Sequence, residues 1–229
     1  MLAFVPERSY DWLARREAIH VKMTELLLIR HAQAQAGPSR HWLGWSDPPL
    51  TSTGRAQAQA IAHRLHLEKR RIGAVYTSPL RRALETAQAI GKTLHRPPVA
   101  MAELKEIHFG KLEGVTLQEM ERRFPVLHTR WQDKTDMEFQ WPGGERRADF
   151  FSRVADACQG IVARHPHENV VVVAHGGTIR ACLAHLVPDQ LKTWWTYSLD
   201  NTGLTHVSAR GSVTHLLALN DVSHLLDVA

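Results

Sequence analysis

The sequence predicts an α/β fold, a three-layer sandwich with a mostly parallel central sheet, helices on both faces and a cap insertion. Three observations predict it. Strand-like and helix-like segments alternate along most of the 229 residues, the pattern of successive βαβ units. Two short aliphatic runs, Leu26-Leu27-Leu28-Ile29 and Val170-Val171-Val172-Val173-Ala174, read as strands buried on both faces. Both runs end alike, in Arg30-His31-Ala32 and in His175-Gly176-Gly177-Thr178. Groups just past the carboxyl ends of strands line the ligand crevice of an open α/β sheet. Two histidines and an arginine delivered there make a site for an anion, and a phosphoryl group fits best.

The elements follow in order. Residues 1–22 carry mixed charge without the apolar core of a signal peptide. Ser9 is placed to cap a short helix through Arg15 and Ile19. Met23 directly precedes the first strand, so 1–22 is read as an N-terminal extension and 23–229 as one domain. After the strand at 25–30 comes a loop rich in turn and aromatic residues, 37–49. Thr51 or Thr53 then opens a helix through about Lys69. Ala74-Val75-Tyr76-Thr77 is the next strand, and Ser78-Pro79 starts a helix with proline at its first position. Residues 103–144 are weakly periodic, with short helices at 117–123 and 126–132, and read as a cap over the sheet. A long helix at 145–164, the valine strand and a helix at 177–186 follow. Two strands, 203–207 and 212–219, close the chain.

Composition narrows the function. At 44% hydrophobic and 22% charged residues, the chain has the make-up of an ordinary globular enzyme. The net charge of +5 is scattered, without the clustered basic face that nucleic acid requires. No apolar run reaches membrane-spanning length. The two cysteines, Cys158 and Cys182, form no CxxC pair, which places the chain in a reducing, cytoplasmic setting. Cys158 and Arg164 match the Cys-x5-Arg spacing of cysteine-dependent phosphatases. That chemistry needs a phosphate-cradling loop. Cys158 instead lies in an amphipathic helix with Phe151, Val154 and Ile161, and reads as a buried structural thiol.

The dipeptide Arg-His occurs three times, and only Arg30-His31 ends a buried strand. Further segments fix its context: Leu50-Thr51-Ser52-Thr53-Gly54-Arg55-Ala56-Gln57-Ala58, Tyr76 to Ala87 with Ser78-Pro79-Leu80-Arg81-Arg82-Ala83, and Leu104-Lys105-Glu106-Ile107-His108-Phe109-Gly110-Lys111-Leu112-Glu113-Gly114. Together with the two histidine motifs, in this order, they resemble the histidine phosphatase superfamily, also called phosphoglycerate mutase-like. The resemblance runs from Thr24 to Leu226, including Gly143-Gly144-Glu145.

The resemblance implies a metal-independent phosphomonoesterase acting through a phosphohistidine on a small phosphorylated metabolite, with no cofactor and no metal. It makes His31 the nucleophile and Arg30, Arg82 and His175 the groups that hold the phosphoryl charge. Arg82 is chosen over Arg81 because the family motif places its arginine directly before alanine. Glu106 matches the acid/base, while Glu113 reads as structural. Leu43 and Gly44, within Trp42-Leu43-Gly44-Trp45, align with a loop that touches the transferred phosphate. Gly176 and Gly177 add backbone amides at a helix start. The chain departs from the family pattern at Ala32, Ala34 and Gly37, where glycine, threonine and asparagine are usual. Substrate specificity is expected from Arg40, His41, Trp42, Trp45, Trp131, Phe139 and Trp141, with His108 beside the pocket. A phosphoglycerate-type mutase and a non-catalytic phosphoryl-binding module on the same fold stay open, as does a homodimer.

Overall fold

The computed structural model describes residues 23–35, 42–187, 193–210 and 213–226. The helix expected within 1–22, and Gly37, Arg40 and His41, lie outside the described residues. Six strands form one sheet in the order β3-β2-β4-β1-β5-β6. These are β1 (Thr24–Arg30), β2 (Ile72–Thr77), β3 (Val99–Ala100), β4 (Asn169–Ala174), β5 (Leu204–Arg210) and β6 (Val213–Asp221). The pairs β3-β2, β2-β4 and β4-β1 are parallel, and β5 runs antiparallel to both its neighbours. The mostly parallel sheet expected from the sequence is therefore present.

The aliphatic strands divide by their period of two. Leu26, Leu28, Val170 and Val172 face a core shared with α5 (Arg147–Arg164) and α6 (Gly176–Leu186). Leu27, Ile29, Val171 and Val173 face the opposite core under α1 (Ser52–Leu67) and α2 (Arg81–Leu94). A strand covered on both faces needs apolar residues at every position, which is why these runs read continuously rather than alternating.

Helix starts follow local chemistry. Thr51 caps α1, its hydroxyl accepting from the Gly54 amide at 2.9 Å, worth about 1 kcal/mol. Thr116 and Glu119 form a reciprocal capping box at α3 (Leu117–Arg123). The expectation for Pro79 is corrected: α2 begins at Arg81, with Leu80 as its cap residue. Ser78 Oγ accepts from the Leu80 amide and holds residues 78–80 in a bend. Asp47 from a distant loop takes the Arg81 amide, one of the donors a helix start leaves open.

Residues 101–146 carry α3, α4 (Pro125–Gln132) and a small core of their own around Leu112, Met120, Phe139 and Trp141. Two arginines of α5 anchor the segment. Arg147 donates to the carbonyls of Asp133 and Asp136, and Arg153 donates to those of Glu103, Lys105 and Glu106 while pairing with Glu145. Cys158 and Cys182, distant in sequence, meet between α5 and α6 as free thiols in direct contact. Among the described residues no helix is long and apolar enough to cross a membrane.

Candidate active site

The adjacency of β1 and β4 brings the two strand-end histidines together. Arg30 pairs in register with Ala174, and the His31 amide donates to the Ala174 carbonyl at 2.9 Å. The two imidazole centroids are 5.1 Å apart. His31 Nδ1 lies 2.8 Å from the Ala32 carbonyl. A carbonyl only accepts, so Nδ1 carries the proton and Nε2 keeps its lone pair. Arg82 Nε–H donates to that Nε2 at 3.2 Å. Burial, then the guanidinium charges of Arg82 and Arg30, hold the His31 pKa well below its ordinary value of 6.5. A neutral imidazole with its lone pair directed at a cation results.

Arg82 is almost fully buried. Its Nη1 and Nη2 donate to the carbonyls of Ser46 and Gly44 at 2.7 and 2.8 Å. The loop carrying those carbonyls hangs on Glu113, whose carboxylate accepts from the Trp45 amide, the Ser46 amide and the Ser46 hydroxyl at 2.6–2.7 Å. Gly44 adopts φ +45°, where a Cβ would also meet the Glu113 carboxylate at 2.5 Å, so glycine fits here on both counts. Arg30 Nη1 donates to the Leu199 carbonyl. Arg81, by contrast, is exposed and pairs with Glu85 at 2.6 Å. Ala32 is fully buried against Leu50 and Ala58, and its amide donates to Thr86 Oγ1. Its methyl belongs to the core between β1 and α1.

Glu106 reaches the site from the segment that Arg153 anchors. Its Oε2 accepts from the Gly177 amide at 2.9 Å and its Oε1 from the Ile107 amide at 3.0 Å. A carboxylate at a helix start is favoured by the dipole. A Cβ on Gly177 would stand 2.3 Å from Glu106 Oε1, so this close approach requires glycine. The Gly177 amide, expected as part of an anion cradle, is thus engaged by the protein's own carboxylate. His175 Nε2 lies 2.8 Å from Ser78 Oγ, and its Nδ1 is buried without a partner among the described residues. Burial, with Arg82, His31 and Arg30, depresses the His175 pKa well below 6.5.

A cavity of about 660 Å³ opens over this cluster, lined by Arg30, His31, Leu43, Gly44, Arg82, Glu106, Gly176 and Gly177. Trp42, Trp131 and Trp141 also line it. Phe139 and Trp45, expected to contact substrate, do not line the cavity. Phe139 is fully buried in the core of 101–146, and Trp45 stacks on His108 at 4.6 Å under the Lys105 ammonium. Several residues at the site had not been expected, among them Arg147 and Trp194 of the lining and Ser78, Arg180 and Lys134. Ser78 orients His175. Arg180, one helical turn beyond Gly176, lines the cavity and is held by the Tyr197 carbonyl. Lys134 lines the cavity beside Trp131. Of these last three, only Arg180 left a sequence signal, its i+4 spacing from Gly176. Among the described residues no three His, Cys, Asp or Glu side chains converge as a metal site.

Comparison with known proteins agrees with this geometry. Residues 26–222 match the family described as the histidine phosphatase superfamily (branch 1). The chain is 31% identical over 194 residues to phosphoserine phosphatase 1 of Hydrogenobacter thermophilus, covering 83% of this chain and 90% of that one. It is 35% identical over 177 residues to a metal-independent phosphoserine phosphatase of Arabidopsis thaliana, covering 76% and 73%. Among solved structures, a variant of the phosphoserine phosphatase from Entamoeba histolytica in complex with phosphoserine superposes with a TM-score of 0.76. It is 27% identical, covering 89% of this chain and 100% of that one. The chain belongs to the histidine phosphatase superfamily, branch 1.

Proposed function

We propose that this phosphomonoesterase transfers the phosphoryl group of a small metabolite to His31 Nε2 and then to water, without a metal. One observation carries the reading: the Nδ1 proton of His31 is fixed on the Ala32 carbonyl while Nε2 faces the Arg82 guanidinium. In the first step Nε2 attacks phosphorus and the ester P–O bond breaks. Glu106, entering this step as the neutral acid, gives its proton to the leaving oxygen. Arg30, Arg82 and His175 carry the charge on the equatorial oxygens, with Leu43, Gly44 and Gly176 bordering the phosphate. The phosphohistidine keeps its Nδ1 proton on Ala32. In the second step Glu106 takes a proton from water, whose oxygen attacks phosphorus. The P–N bond then breaks and phosphate leaves.

Residues 103–144 act in this reading as the cap that encloses the leaving group. We place the protein in the reducing cytoplasm, where Cys158 and Cys182 would stay thiols. Neither cysteine lines the cavity. The Cys158 contact, then burial, raise the Cys182 pKa well above its ordinary value, the opposite of a thiolate nucleophile.

The test is hydrolysis of p-nitrophenyl phosphate in EDTA by wild type, His31→Ala and Cys158→Ser. Activity that survives EDTA and Cys158→Ser and disappears in His31→Ala is the expected result. Loss in EDTA, or full activity in His31→Ala, would overturn the proposal.

A further inference from the structure

The cavity contains charge that hydrolysis itself does not use. Five cations line the cavity, Arg30, Arg82, Lys134, Arg147 and Arg180, against one carboxylate, Glu106. Arg30 and Arg82 serve the phosphoryl group in the reading above. Arg180 donates through Nε and Nη2 to the Tyr197 carbonyl, and Arg147 donates to the carbonyls of Trp131, Asp133 and Asp136. Lys134 differs from them. It has no carboxylate partner among the described residues, and it donates to one carbonyl, that of Trp131, at 2.7 Å. Its ammonium lies 3.0 Å above the Trp131 ring, and the Lys134 carbonyl accepts from Trp194 Nε1 at 3.4 Å.

A half-buried cation without a counter-charge is costly, and an anion completes it. The surroundings say what lies between that anion and the phosphate. Trp42 stands 5.5 Å from Trp131 and 5.5 Å from Phe109, ring centroid to ring centroid, and all three line the cavity. An aromatic wall therefore links Lys134 with the loop at Gly44 that holds Arg82. Such a wall grips a planar, apolar body.

We propose that Lys134 is a specificity-determining residue for the leaving group. The preferred substrates are phosphomonoesters of a ring-bearing alcohol with an anionic group, a carboxylate or a second phosphate, at the end remote from the ester. This inference rests on the phosphatase reading and deepens it. The protonation state of Lys134 agrees: burial, helped by the Arg147 charge, lowers its pKa to about 7, and a bound anion would restore the ammonium.

Two probes test it, the phosphate ester of para-hydroxyphenylpropanoate and the same ester with the acid replaced by its primary amide. The spacer insulates the phenol, so the two leaving groups are alike and only the distal charge differs. Wild type, Lys134→Met and Lys134→Arg are compared by kcat/KM. Calorimetry with the matching non-hydrolysable phosphonates reads binding directly. The expected result is an acid-over-amide preference of about tenfold in wild type, as for one charge-assisted hydrogen bond. Lys134→Arg keeps the preference. Lys134→Met abolishes it, bringing the acid down to the level of the amide in both turnover and binding. Equal turnover and equal binding of acid and amide by wild type, or a preference unchanged in Lys134→Met, overturns the inference. Absence of hydrolysis of both esters, with the calorimetric preference intact, supports the subsite and rejects the phosphatase reading instead.

Discussion

Replacing Gly177 by alanine tests the acid/base directly, without touching Glu106 itself. The added Cβ would stand 2.3 Å from Glu106 Oε1, 3.0 Å from its Cδ and 3.2 Å from Oε2. Ordinary contact begins near 3.4 Å, so the carboxylate must retreat by about 1 Å. Gly177 is helical without positive φ, so the backbone accepts alanine and the side chain yields. A displacement of about 1 Å in a reacting group costs on the order of 100-fold in rate. Alanine gains about 1 kcal/mol of helix propensity, while the displaced carboxylate forfeits a charge-assisted hydrogen bond of about 1.5–3 kcal/mol. The net effect on Tm is a fall of a few degrees. The assay is kcat/KM, which reports the step up to phosphohistidine, on an alkyl phosphate and on p-nitrophenyl phosphate. The alkyl ester needs its leaving oxygen protonated and should lose about 100-fold. The nitrophenyl ester, with a stable phenolate, should lose less than about tenfold. Unchanged kcat/KM on both esters would refute the assignment of Glu106 as acid, as would equal losses on both.

Three further expectations follow from the same network. His31 and His175 are held neutral with pKa values below 6.5, so the unfolded chain takes up their protons first. Stability is then full above about pH 6.5 and falls as pH drops from there through the folded values; a Tm that rises on acidification from pH 6.5 would contradict this. Ser78→Ala removes the partner of His175 Nε2 in a fully buried position; it should cost about 1–3 kcal/mol in denaturant melts and lower kcat. Glu113→Ala strands the Trp45 and Ser46 donors. It should cost about 2–4 kcal/mol and reduce kcat through Arg82, whereas Glu113→Gln, which keeps an acceptor, should recover much of both. Intact kcat in Glu113→Ala would separate the loop from the chemistry.

The core strands were legible because strands covered on both faces must be aliphatic throughout, and Leu26–Ile29 and Val170–Ala174 are. Their ends were legible for the same reason, since polar residues directly after such a run can only point into the crevice. The edge strand β3 was not, because Val99 and Ala100 are exposed and two residues leave no pattern. The start of α2 was misread because Pro79 satisfies the usual rule for a first helical residue, while Ser78 and Asp47 decide the geometry through contacts of their own. Lys134 lies in Gln132-Asp133-Lys134-Thr135-Asp136, which reads as a solvated turn. Its contact with Trp131 is local, three residues back along the chain; what the turn does not reveal is that both residues line the cavity. The meeting of Cys158 and Cys182 is a product of helix packing.

The central claim is a phosphoryl group carried on His31, and trapping that group tests it most directly. Wild type would be mixed rapidly with a turning-over phosphomonoester, quenched in alkali, where phosphohistidine survives, and digested for peptide mass spectrometry. The account expects the added phosphoryl on the peptide bearing His31, absent from His31→Ala. Accumulation should increase in Glu106→Gln, which retards hydrolysis of the intermediate more than its formation from an ester with a good leaving group. Turnover by wild type with phosphate on another residue, or direct transfer to water with no label while turnover proceeds undiminished in His31→Ala, would contradict it.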